Sequence, residues 1–108
     1  MIAVDTNVLV FVPLVVHVET LWVLESGYGF PKTSLIQVLE HLEMNQAFSL
    51  EDEALCHQAL ELYRSSSADY ADCLILSTCR TKELKLHTFD KRLSRLAGTT
   101  LVKADDPL

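Results

Sequence analysis

Short β-branched runs alternate along the chain with longer segments in which apolar residues recur every three or four positions. The first kind of segment is typical of strands and the second of helices. Strands are predicted at residues 2–4, 11–13, 47–49, 86–89 and 99–102, and helices at 14–25, from after Pro31 to near Asn45, from 49–52 onward, at 69–82 and at 91–96. Strands that alternate with helices indicate a parallel sheet with helices on its faces, so the predicted class is α/β.

Two helix starts carry local signals. Ser49 and Asp52 stand at a spacing that resembles a capping box, so Ser49 is expected to begin the third helix. Ser67 or Ala68 is expected to begin the fourth helix, which carries apolar residues nearly all round and is therefore predicted to be buried. His17, in the first helix, is expected in the core or in a cleft.

The connection between the first two predicted strands is too short for a parallel crossover. Only residues 6–10 separate the first strand from Phe11, whereas a parallel crossover needs roughly a dozen or more residues. Either these strands are not parallel neighbours, or the full protein contains a crossover between Val10 and Phe11. We favour the second interpretation, and expect one domain over residues 1–108 with a helical segment at that point.

At 108 residues, 49% hydrophobic and 22% charged, the chain has the composition of one soluble globular domain, which excludes a fibre or a disordered tail. Charged side chains interrupt its apolar stretches before the roughly 18 residues of a membrane span, and no secretory signal is recognisable, so a cytoplasmic protein is expected. A chain this short buries little surface, which favours a dimer. Leu21, Trp22 and Leu24 are expected in the core, with a dimer seam on part of that surface as the alternative.

The net charge of −6 is unevenly distributed. Residues 1–62 hold nine acids and one base, whereas residues 80–95 hold six bases and two acids. The basic segment fits either a solvated face or contacts to RNA phosphates, and both interpretations stay open. Its candidate RNA-binding residues are Arg80, Lys82, Lys91 and Arg92.

Four acidic residues need a shared explanation. Asp5 and Asp90 follow predicted strands, at the edge of a parallel sheet where functional groups gather. Glu19 and Asp72 stand inside apolar helices, where a solvated charge is not expected. Carboxylates brought together repel one another unless a hard divalent cation lies between them, and Mg²⁺ or Mn²⁺ fits that role.

Each acid also has a local alternative. Asp5 suits an Asx turn, Asp90 a helix N-cap, Asp69 a helix start and Glu19 a salt bridge. Capping does not account for Asp72 or Glu19 inside apolar helices. Asp69 stands three positions before Asp72 and so shares a helical face with it, which makes Asp72 the predicted ligand and Asp69 an auxiliary.

Four segments resemble, in order, the motifs of a PIN domain, and the similarity is closest to the VapC-like toxins of type II toxin-antitoxin pairs. The segments are residues 1–10 (MIAVDTNVLV), 13–20 (PLVVHVET), 68–75 (ADYADCLI) and 88–93 (TFDKRL). They span nearly the whole chain, and their order makes the resemblance specific. Family members carry a helical segment, often a helical clip, before the motif that opens here with Phe11.

The resemblance implies a three-layer α/β/α sandwich with a parallel sheet of about four to five strands, and an endoribonuclease site that depends on Mg²⁺ or Mn²⁺. By motif position, the metal-binding catalytic acids would be Asp5, Glu19, Asp72 and Asp90, and the supporting residues Thr6, Asn7, Asp69 and Thr88. The resemblance also implies an RNA substrate, a homodimer and a cognate antitoxin whose C-terminal segment lies across the active site. The acidic first half of the chain suits a basic partner.

Two other functions compete with the nuclease. A catalytically silent PIN-like module for interaction or dimerisation is favoured by the short first connection, whereas the presence of all four acids argues against it. A receiver-like signalling domain would need an acidic pair at one strand end and a phosphoacceptor aspartate at another, and the dispersed positions of Glu19 and Asp72 do not suit it.

The helical segment expected between Val10 and Phe11 is testable by intact mass spectrometry of the full protein. The mass should exceed 12.1 kDa, the mass of the 108-residue chain. A measured mass near 12.1 kDa would refute the inserted segment.

Overall fold

The computed structural model describes residues 10–84, 86–88, 95–96 and 98–102, in two compact units, Met1–Glu53 and Ala54–Leu108. Four helices and four strands lie in this part of the chain, and both strand pairs are parallel. The α/β class predicted from the alternating pattern is therefore confirmed. The predicted strand at residues 2–4 and most of the predicted helix at 91–96 lie outside the described residues.

The first unit holds two strands with two helices between them. Strand β1 spans Val10–Val12, helix α1 Leu14–Ser26, helix α2 Lys32–Met44 and strand β2 Phe48–Leu50. The parallel register places each residue of β1 opposite a residue of β2 that is 38 positions later in the chain. The two helices thus supply the long connection that parallel pairing requires.

The start of α1 is fixed by a residue from the other end of this connection. Pro13 precedes the helix in an extended conformation and provides no side-chain cap. The backbone N–H of Leu14 instead donates to Glu51 Oε1 at 3.0 Å, and the backbone N–H of Glu51 donates to the carbonyl of Val12 at 3.0 Å. A carboxylate at a helix N-terminus satisfies a free amide and opposes the positive end of the helix dipole.

Helix α1 is buried on one side only. His17 and Leu21 are buried, which confirms the expectation for both residues. Trp22 was expected in the core as well, and this prediction is wrong because 62% of the residue is exposed. The helix is apolar all round, so its sequence pattern does not indicate which side faces the interior.

The second unit repeats the combination of helices and a parallel pair. Helix α3 spans Glu53–Ser65 and begins at the last residue of the first unit, helix α4 spans Tyr70–Thr81, and strand β3 (Leu86–Thr88) pairs with strand β4 (Thr99–Leu101). Both helices contribute fully buried side chains, with the Tyr63 and Tyr70 rings in edge-to-face contact at 5.8 Å. Residues with under 2% exposure in this unit are Cys56, Ala59, Leu60, Cys73 and Leu76.

The start predicted for α3 is wrong. Ser49 lies in β2, where it pairs with Phe11, and therefore does not cap a helix. The chain instead turns at Asp52, whose φ of 54° lies in the left-handed region that aspartate tolerates better than most residues, and α3 begins at Glu53. Strand pairing thus overrides the local capping signal. Within the described residues, no helix is long and apolar enough to cross a membrane.

The stability of the protein should fall in mild acid because of His17. Burial lowers the pKa of this imidazole below its ordinary value of 6.5, since desolvation disfavours the charged form. Below pH 6.5 the unfolded chain binds a proton that the folded chain does not, so the free energy of unfolding falls with pH, by at most about 1.4 kcal/mol per unit, until the folded pKa is reached. Urea denaturation at about pH 7.5 and about pH 5.5 measures this loss.

The control is His17→Gln, which retains a polar side chain but cannot gain a proton in this range. Carboxylates contribute equally to both proteins, so the difference between their pH dependences isolates the histidine. Equal losses in the two proteins would show that His17 does not titrate differently on folding.

Candidate active site

Asp69 begins helix α4, the element that carries Asp72. It is the N-cap residue, with extended backbone angles, and its carboxylate accepts a hydrogen bond from the backbone N–H of Asp72 at 2.9 Å. The prediction that Ser67 or Ala68 begins this helix is wrong, whereas the alternative of Asp69 as a helix-start acid is confirmed. Aspartate is among the strongest N-cap residues, and alanine is among the weakest.

Asp72 lies in the first turn of α4 and is partly exposed. Its position gives the negative charge a local source of stabilisation, because the free amides and the dipole of a helix favour anions at the N-terminus. The buried side of the same helix is formed by its neighbours Cys73 and Leu74. The apolar sequence neighbours of Asp72 suggested that it is enclosed in an apolar core. The structure shows that it is not.

Glu19 lies on the exposed side of α1, not inside the protein. Its neighbours on this side are apolar, and together they line an open cavity of about 340 Å³. The carboxylate makes no hydrogen bond or ion pair with any described residue, so the salt bridge considered as a local alternative is not found there. The residues that line this cavity are Val15, Val16, Glu19, Thr20, Val23 and Leu24.

Glu51 is an acid that the sequence did not single out. It directly follows β2 and bonds the first amide of α1, the helix that carries Glu19. Sequence reasoning missed it because the two bonded groups are 37 positions apart. Its place after a predicted strand was the only available signal. We assign Glu51 the role of positioning α1.

Two of the four candidate RNA-binding residues are described, and both are exposed at the end of α4. Arg80 lies in the last turn of the helix, and Lys82 is its C-cap residue. The Arg80 side chain lies beside Gly98, whose φ of 91° is in the left-handed region that favours glycine. Lys91 and Arg92 lie outside the described residues.

The remaining predicted site residues belong mostly to parts of the chain that the structure does not describe. Asp5, Thr6, Asn7 and Asp90 lie outside the described residues, and Thr88 is placed only as the last residue of β3. Glu19 belongs to the first unit and Asp72 to the second. Among the residues that are described, no three His, Cys, Asp or Glu side chains form a group that could hold a metal.

The donor chemistry of the two described acids fits a hard divalent cation. Both Glu19 and Asp72 are carboxylates with access to solvent, and neither position brings a thiol or an imidazole. Mg²⁺ and Mn²⁺ favour oxygen ligands of this kind, whereas Zn²⁺ sites are typically built from histidine and cysteine.

Comparison with known proteins gives two matches. The model of the PIN domain family matches residues 3–99 of the chain. A VapC ribonuclease from Aquifex aeolicus (strain VF5) is 26% identical over 92 residues, which cover 84% of this chain and 68% of the relative. No solved structure gives a significant match. Both matches agree with the family that the four sequence motifs resemble.

Removal of the Asp69 cap should destabilise the protein even without any metal. Asp69→Ala loses the acceptor for the Asp72 amide, so the free energy of unfolding should fall by about 1 kcal/mol. Asp69→Asn should retain nearly full stability, because asparagine caps as well as aspartate. Urea denaturation in EDTA measures both variants.

Ser67→Ala is the matched control, since Ser67 is an exposed residue just before the cap. Its effect should stay within about 0.5 kcal/mol. A larger loss for Ser67→Ala than for Asp69→Ala would contradict the observed helix start.

Proposed function

Because the chain belongs to the PIN domain family, we propose that it is a metal-dependent endoribonuclease of the VapC type that hydrolyses RNA phosphodiesters with bound Mg²⁺ or Mn²⁺. The observation that carries the proposal is the position of the four acids. Asp5, Glu19, Asp72 and Asp90 all fall within the matched residues, in the order of the family motifs. A VapC ribonuclease among its relatives supports RNA as the substrate.

The proposed site combines these four carboxylates as metal ligands with Thr6, Asn7, Asp69 and Thr88 as supporting residues. When bound, the ion would activate water and offset the charge that develops during an in-line phosphoryl displacement. Asp69 would act through the backbone, because its cap fixes the first turn of α4 and hence the position of Asp72. Glu51 would act in the same way on α1 and Glu19.

The basic segment would hold the RNA backbone. Arg80 and Lys82 are both exposed at the end of α4, and Lys91 and Arg92 follow β3 in the chain. Contacts to phosphates position a nucleic acid without reading its sequence. These basic side chains would therefore set the affinity for RNA and its salt dependence, whereas other residues would select the RNA sequence.

The partners follow from the same proposal. We include a cognate antitoxin, for which the acidic residues 1–62 provide charge complementarity, and a homodimer in the cytoplasm. The protein would be one PIN-like domain, with the additional helical segment between Val10 and Phe11. A silent PIN-like module is the second candidate. The short connection between the first two predicted strands, residues 6–10, favours it.

RNA cleavage by the full-length protein, freed from any antitoxin, tests the proposal. Cleavage should require Mg²⁺ or Mn²⁺, stop in EDTA, and fall by about 10² to 10³-fold in Asp90→Asn, the range typical when electrostatic stabilisation of a transition state is lost. Glu61→Gln is the matched control, because it makes the same change of charge at an exposed residue of α3 whose contact is a surface ion pair with Arg64. Its cleavage rate should equal that of the wild type.

The melting temperature in millimolar Mn²⁺ separates the two candidate functions. Metal at about 100 times its Kd adds about 2.7 kcal/mol to the stability of the folded state. A shift without cleavage would favour the silent module, whereas the absence of both would reject the carboxylate site. Cleavage that persists in Asp90→Asn and in EDTA would show that the site is placed wrongly.

A further inference from the structure

Another open cavity, of about 380 Å³, lies along helix α2, and we call it the α2 cavity. Its volume is in the range of sites that bind small organic ligands. One side of the helix lines it, with residues that recur at intervals of three and four positions, whereas Leu35 and Leu39 of the same helix are buried. The lining residues that the helix contributes are Ser34, Gln37, Val38, His41 and Leu42.

The α2 cavity combines aromatic surface with neutral groups that form hydrogen bonds. Phe30, before the helix, and Phe48, the first residue of β2, complete its lining, and both are half-buried. The Ser34 hydroxyl and the Gln37 amide can each donate and accept. Among the described residues that line the cavity there is no Asp, Glu, Lys or Arg. The lining therefore suits a flat, uncharged ligand with donors and acceptors along its edge, more than a phosphate or a basic peptide.

His41 is held as a defined tautomer at this cavity. The orientation of the Asn45 amide is fixed, because its Oδ1 accepts a hydrogen bond from the backbone N–H of Ala47 at 2.9 Å. Its Nδ2 therefore donates to His41 Nε2 at 3.3 Å, so the ring proton lies on Nδ1. The Phe48 ring contacts the same imidazole edge-to-face, with the centroids 6.3 Å apart. His41 thus adds one donor, its Nδ1–H, to the lining.

We propose that the α2 cavity binds one nucleobase of single-stranded RNA and makes the chain selective for that base, an inference that rests on the proposed nuclease function. A nucleobase is a flat, uncharged ring with donors and acceptors along its edge. Proteins that read single-stranded RNA stack its bases on aromatic side chains and bond their edges. Phe30 provides the stacking surface, and Gln37 and His41 bond the edge. The cavity thereby supplies the selectivity that contacts to phosphates lack.

The charge of the first half of the chain limits how tightly the cavity alone can bind. Residues 1–62 hold nine acids and one base, so a phosphate attached to the bound base is repelled. A nucleoside monophosphate should therefore bind weakly. An RNA octamer, which can make further contacts through its other nucleotides, should bind about 10²-fold more tightly, as expected for linked binding sites.

Fluorescence anisotropy with labelled octamers of A, C, G and U tests the proposal on the intact chain in EDTA, with gel electrophoresis to confirm that the RNA stays uncut. One octamer should bind several-fold more tightly than the other three. Gln37→Ala should reduce this preference by about two- to ten-fold, the range for one hydrogen bond. Phe30→Leu should weaken binding of the preferred octamer by about five-fold, the lower limit for loss of one stacked base.

Gln46→Ala and Phe11→Leu are the matched controls. They make the same changes at exposed residues of the first unit, and neither residue belongs to the described lining of the α2 cavity. Both should bind the four octamers as the wild type does, and circular dichroism identifies any variant that fails to fold. In NMR spectra, the preferred nucleoside monophosphate should shift the ring signals of His41 and leave those of His57, an exposed residue of α3, unchanged.

Three results would overturn the proposal. They are equal affinity of the wild type for all four octamers, a preference that Gln37→Ala and Phe30→Leu leave unchanged, and a nucleoside monophosphate that binds as tightly as the octamer, which would make a free nucleotide the occupant. None of these measurements depends on cleavage. Selective binding without cleavage would reject the nuclease and retain this site, whereas cleavage without selective binding would do the reverse.

Discussion

The bond between the Glu51 carboxylate and the first amide of α1 is the constraint on which the arrangement of the first unit depends. The backbone N–H of Glu51 donates to the carbonyl of Val12, and its carboxylate accepts from the N–H of Leu14. One residue therefore bonds both the last residue of β1 and the first residue of α1. Pro13, between them, has no N–H that would need a partner. Because the helix starts at a fixed residue, its periodicity turns His17 inward and Glu19 outward.

The alternation of strands and helices was predictable because it rests on local composition. Strand β1 begins one residue before its predicted position, and α2 ends at Met44 with Asn45 as its C-cap, close to the predicted end near Asn45. The helix starts were less predictable, because several residues near each start can cap equally well. Ser49 could cap a helix, but it lies in β2 and pairs with Phe11. At the start of α4, Asp69 is the N-cap residue in place of the expected Ser67 or Ala68.

The candidate site was predictable in a different way. The argument that Glu19 and Asp72 are enclosed by apolar neighbours does not hold, since one is exposed and the other lies in a solvent-accessible first turn. The order of the four motifs was the stronger signal, and it correctly indicated the family whose model matches residues 3–99. The roles of Glu19 and Asp72 stay a prediction. Bonds such as that of Glu51 lie beyond sequence reasoning, because no local pattern joins residues 37 positions apart.

The uniform apolarity of α1 explains both an error of prediction and the unusual surroundings of Glu19. A helix without a polar side gives no periodic signal for its buried face, so Trp22 was placed in the core. The same composition leaves a carboxylate among valines on an exposed surface. Exclusion of water from this surface would strengthen the interactions of Glu19 with any charge nearby.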